Sequence, residues 1–140
     1  MANVTIHDLM FRNHCLLGKF LKELEQDVNI KTFNHFKWEL EKHFFMEEKA
    51  IFSFDIKEQE TSAMLADVME EHIQILDMLK EIEAKLLKKE DIDLSKLKEF
   101  HTKHKNFEDQ TLYPKLDEVL SDEQKEQIIE RVKALYPGLC

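Results

Sequence analysis

Two segments of the chain set a histidine four residues ahead of a glutamate in similar surroundings: His43-Phe-Phe-Met-Glu47-Glu48 and His104-Lys-Asn-Phe-Glu108-Asp109. Residues four apart on a helix share a face, so each pair can turn a nitrogen and a carboxylate toward one site. His14 and His72 open a second pair of matching stretches, His14-Cys-Leu-Leu-Gly-Lys-Phe-Leu-Lys-Glu-Leu-Glu and His72-Ile-Gln-Ile-Leu-Asp-Met-Leu-Lys-Glu-Ile-Glu. The chain therefore contains an internal repeat that lays histidine on histidine and glutamate on glutamate. Two hairpins related by a pseudo-two-fold axis would set two ligand sets face to face. That is a geometry for two metal ions.

Four imidazoles and two carboxylates suit a borderline first-row metal, with iron, manganese and zinc as candidates. If Glu47 and Glu108 bridge, each ion receives two bridging oxygens and two imidazoles. A solvent-derived oxo or hydroxo bridge adds a fifth ligand and leaves a sixth position open. On a redox metal, an open position admits dioxygen or nitric oxide. Three other metal templates are missing: the HExxH spacing of zinc proteases, the ExxH of carboxylate di-iron bundles and the oxygen-rich EF-hand loop.

The spacing alone is a weak signal, because His35-x-x-x-Glu39 also carries it. That pair lies off the apolar seam, with Lys31 and Lys42, and reads as a solvated pair. His101, one turn from His104, could give one ion a third nitrogen or hydrogen-bond a ligand carboxylate. His7, two turns from His14, is expected outside the ligand set. Cys15 reads as a small buried or interface residue, and Tyr113 and Trp38 as packing residues.

The elements that must position these groups are helices. Four long stretches, about residues 5–28, 31–54, 57–89 and from 94 onward, carry the 3-4 apolar spacing of a helix burying one stripe. Asp93 is the expected cap of the fourth, which should be disturbed or ended near Pro114. Ser121-Asp-Glu-Gln has capping-box spacing and opens a short fifth helix, about 122–135, ending before Pro137-Gly138. The seams run through Met10, Leu17, Leu21, Leu24 and Val28; Phe33, Phe36, Leu40, Ala50 and Phe54; and Leu65, Val68, Ile75, Leu79, Ile82 and Leu86. Continuing the count places His14, His43, Glu47, His72, His101, His104 and Glu108 on those same stripes. Burying so many ionisable groups with nothing to bind would be costly. Short connections make successive helices antiparallel neighbours. The expected fold is all-α: an antiparallel up-down-up-down four-helix bundle with a short C-terminal fifth helix. It forms a single domain over 1–140, with the ligand-bearing bundle at about 5–118.

Composition sets outer bounds. At 140 residues, 43% hydrophobic and 35% charged, the chain is neither disordered nor a membrane span. Two glycines and two prolines leave little turn chemistry for an all-β fold or a glycine-rich phosphate loop. A formal charge of −9 repels nucleic acid and anionic lipid. Cys15 and Cys140 make no disulfide framework. The opening MANVTIHDLM lacks a basic segment followed by an apolar one, so the expectation is a soluble cytoplasmic protein without nucleic-acid or membrane partners. A homodimer is compatible with all of this.

Taken together, His14, His43/Glu47, His72 and His104/Glu108 spell H…HxxxE…H…HxxxE. With the trailing Glu47-Glu48-x-x-Ile-Phe and Glu108-Asp109-x-x-Leu-Tyr-Pro, the chain resembles the hemerythrin-like HHE cation-binding domains over about residues 5–118. The resemblance implies a non-haem centre of two iron ions, Fe2+ or Fe3+, in an antiparallel four-helix bundle. It implies binding of dioxygen, nitric oxide or peroxide, for transport, storage or sensing. Alternatively, it implies redox chemistry in stress defence: peroxide or nitric oxide detoxification, or iron oxidation and storage. Oxygen carriers of that family place HxxxH on the third helix, whereas here Leu76 stands four after His72. They also use HxxxxD on the fourth, a spacing His104 and Asp109 satisfy; the repeat favours Glu108, the match of Glu47.

Overall fold

The computed structural model describes residues 5–54 and 56–135. Among the described residues the chain is all-helical, with no strand. Helix α1 spans Ile6–Gln26, and α2 (Ile30–Met46) runs directly into a π-helical turn, Glu47–Ile51. Helix α3 spans Gln59–Leu87. Helix α4 (Ser95–Phe107) passes through a second π-helical turn, Glu108–Leu112, into α5 (Tyr113–Val119), and α6 (Asp122–Leu135) follows. None of these helices is long and apolar enough to cross a membrane.

Local chemistry sets the ends. Thr5 Oγ1 accepts from the Asp8 N–H at 3.0 Å, and the Asp117 carboxylate on α5 accepts from the Ile6 and His7 amides at 3.0 and 3.1 Å. An anion thus sits at the positive end of α1. Helix α2 opens on an Asn29/Thr32 capping box, and the expected Ser121/Gln124 box opens α6. Asp93 takes the Ser95 amide at 2.9 Å, within a residue of its expected cap position. Helix α1 stops at Gln26, so Val28 lies beyond the seam and is 43% exposed. Pro137-Gly138 and Cys140 fall outside the described residues.

The fourth helical stretch is disturbed just before Pro114, as expected, and then continues past it. Proline lacks an N–H and crowds the carbonyl four residues back, and the wide turn just before it provides room. Proline is not the common cause, because the turn at Glu47–Ile51 has none. Both π-helical turns begin at the glutamate of an HxxxE pair.

Helix α1 packs on α2, α2 on α3 and α3 on α4, while α5 and the second π-helical turn close back onto α1. Helix α6 lies against the first π-helical turn and α1. The core of this helical bundle divides into two apolar clusters. One gathers Ile6, Met10, Met46, Ile51, Val68, Leu112, Tyr113 and Ile128. The other gathers Leu17, Leu24, Phe33, Phe36, Leu40, Ile75, Leu79 and Leu97. Early residues of α1 and α3 belong to the first cluster and late ones to the second; in α2 and α4–α5 the order is reversed.

Candidate metal centre

Each long helix leaves one apolar cluster and enters the other through a polar step. His14 lies between Met10 and Leu17, His43 between Leu40 and Met46, His72 between Val68 and Ile75, and His104 between Leu97 and Leu112. The six expected residues come together in that layer, and none of them is more than 3% exposed. Their seam positions are what the helical period dictates; burial on four sides is what the bundle adds.

Glu47 Oε1 stands 2.7 Å from His43 Nε2 and 3.4 Å from His72 Nε2. Glu108 Oε1 stands 3.1 Å from His14 Nε2 and 3.3 Å from His104 Nε2. Each glutamate therefore touches one histidine from each half of the repeat. Two groups have ligand atoms mutually within 4.8 Å: Glu47, His72, His104 and Glu108; and His14, His43 and Glu108. Either group could hold a metal ion.

The far side of every ring is clamped. His14 Nδ1 donates to Asp109 Oδ1 at 2.8 Å, His72 Nδ1 to Glu48 Oε1 at 3.2 Å and His104 Nδ1 to Glu71 Oε1 at 2.7 Å. His43 Nδ1 donates to Asn13 Oδ1. These acceptors follow the repeat: the residue before His14 clamps His43, and the residue before His72 clamps His104. Likewise, the residues after Glu47 and Glu108 clamp His72 and His14. Carboxylates and amide oxygens only accept, so each Nδ1 carries the hydrogen and each Nε2 presents a lone pair inward. All four Nε2 atoms, Glu47 Oε1 and both Glu108 oxygens are buried without a hydrogen-bond partner. A lone pair cannot donate to a carboxylate oxygen, so a metal cation or a proton must lie between them. The donor set and its orphaned atoms fit a pair of metal cations, with the histidine orientation of carboxylate–histidine–metal sites.

Electrostatics without a cation carries the strain of that arrangement. Burial, then the charge of Glu47, pushes the Glu108 carboxyl well above the usual range. Burial would raise Glu47 too, but the His43 ring beside it holds it well below. Burial lowers His43 to about 4 and lowers His104. His72 is raised: burial opposes its charge, but Glu47 and Glu48 outweigh it.

The remaining sequence expectations divide. Glu108 Oε1 lies beside His14 Nε2, while Asp109 accepts from His14 Nδ1 on the far side of the ring. Tyr113 is fully buried, as expected of a packing residue, and its hydroxyl also donates to Glu47 Oε2. Trp38 is 66% exposed and does not pack in the core, because it lies off the seam of α2. Cys15 is exposed rather than buried, one step around the helix from His14. His35 is exposed, and Glu39 pairs with Lys42 at 3.6 Å, so the control pair stays outside the centre. His101 is buried, but neither ring nitrogen has a hydrogen-bond partner, and it belongs to neither ligand group. Sequence reasoning missed the clamps Asn13, Glu48 and Glu71. Their signal was available: each adjoins a ligand at the equivalent point of the repeat.

The family model described as the hemerythrin HHE cation-binding domain matches residues 5–116. No curated protein and no solved structure gives a significant match.

Proposed function

The chain belongs to the hemerythrin HHE cation-binding domain family, and from that premise we propose that it is a non-haem di-iron protein binding dioxygen or nitric oxide for transport, storage or sensing. In this reading His14, His43, Glu47, His72, His104 and Glu108 would hold the two irons. The observation that carries it is the convergence of four inward Nε2 lone pairs on two buried glutamates whose facing oxygens have no hydrogen-bond partner. When bound, the ions would supply redox capacity and affinity for a small molecule.

The protein's own contribution is orientation and exclusion. The Nδ1 clamps lock each ring and tautomer. The two apolar clusters cover the centre from both ends and keep bulk water out. The alternation of those clusters along successive helices supports the up-down-up-down topology, with the whole chain as one domain.

Elemental analysis of protein purified without added metal should find about two irons per chain, the stoichiometry of a two-ion site. Anaerobically reduced protein exposed to oxygen should develop a reversible charge-transfer absorption. Zinc alone would refute the di-iron reading, and permanent oxidation without a reversible adduct would refute carriage in favour of redox turnover.

A further inference from the structure

Beside the centre the internal repeat is broken by a residue that the ligand set does not use. His101 occupies, one turn before His104, the place that Leu40 occupies one turn before His43. Leu40 is fully buried, as an apolar residue there should be. His101 is only 4% exposed, yet both of its ring nitrogens lack a hydrogen-bond partner. A buried polar group left unpaired costs stability, and the leucine of the other half shows that the fold accepts an apolar side chain at this register.

The surroundings restrict what the ring can meet. On one side it lies edge-on to Phe36, with centroids 6.0 Å apart, in the apolar cluster that also holds Leu97. On α4 it is buried on the same face as Leu97 and His104, one turn from the latter. It is nevertheless absent from both sets of atoms within ligand distance of one another. A neutral imidazole has one N–H to give and one lone pair to offer. The apolar wall takes neither, so both remain free on a face shared with His104.

We propose that His101 is the hydrogen-bonding partner of a small ligand held at the centre, and hence a specificity-determining residue that favours ligands with a lone pair turned toward the ring. The proposal rests on the metal-centre reading given above, and the ligand class is a diatomic or a small linear anion.

The test is an azide titration of the iron-loaded full chain, followed by absorption, with iron per chain measured on the same samples. Wild type, His101→Leu and His101→Gln should all retain about two irons, since His101 lies outside the bridging sets. The leucine variant should bind azide at least about tenfold more weakly, the lower bound for loss of one hydrogen bond to a charged group. The glutamine variant, which keeps an N–H, should stay within about threefold of wild type. His101→Met, also without an N–H, carries the leucine expectation if leucine is not accommodated. Equal azide affinity in the apolar variants would overturn the proposal. So would loss of one iron equivalent, which would make His101 a metal ligand. A wild-type chain that takes up no iron refutes the underlying reading instead, and is told apart by the iron assay alone.

Discussion

Acid should unfold the metal-free protein, and His101 isolates one share of that effect. Burial, reinforced by neighbouring His14, lowers its folded-state pKa from 6.5 to about 3. The unfolded chain therefore binds a proton here that the folded chain refuses throughout that window. The contribution to stability is complete above the unfolded value and is lost as pH falls from there toward the folded one. The loss is about 1.36 kcal/mol per pH unit, so at about pH 5 it reaches about 2 kcal/mol. His43, lowered to about 4, loses a similar amount over the same interval, while His72, raised, works the opposite way. Both are common to wild type and His101→Leu, so they cancel in the comparison. Urea unfolding of chelator-treated protein at neutral pH and near pH 5 should show the leucine variant losing about 2 kcal/mol less than wild type on acidification. Parallel pH profiles, within about 0.5 kcal/mol, would refute the claim that His101 is buried neutral in the folded state.

Other perturbations probe neighbouring features. Glu71→Gln leaves the His104 ring with a weaker clamp and should reduce affinity for one of two metal equivalents by about 10–100-fold in a chelator competition, whereas equal weakening of both would contradict independent clamps. Tyr113→Phe removes the donor to Glu47 Oε2 and should cost the metal-free protein about 1–3 kcal/mol in chemical unfolding; an unchanged midpoint would show that hydrogen bond to be immaterial. Gly18 lies within α1, where an added Cβ meets nothing within 4 Å, so Gly18→Ala should gain about 0.5–1 kcal/mol. Lys89 holds a φ of 57° where the Glu90 amide closes onto the Lys85 carbonyl, and Lys89→Gly should gain up to about 1 kcal/mol, both read as shifts in thermal midpoint.

Much of the centre was readable from the chain because helical period is local. Once Met10, Leu17, Val68 and Ile75 define stripes, the directions of His14 and His72 follow from spacing alone. The same reasoning placed Glu47 and Glu108 inward and His35 outward, and the repeat paired the halves without any knowledge of contacts. It failed where residue type was read without the spacing. Trp38 is large and apolar in composition, but its position on α2 faces solvent, and an aromatic residue is not thereby a core residue.

Residue order thus specified which side chains point inward and which metals they suit, since both depend on atom type and a period of a few residues. The folded bundle decided who meets whom: Asn13 with His43, Glu71 with His104, Asp109 with His14, and Tyr113 with Glu47. It also decided that the helices open into π-helical turns at both glutamates. Those pairings join residues distant in sequence, and a widened turn survives only where packing around it compensates. The repeat marks where both occur, but the contacts that hold them belong to the assembled helices.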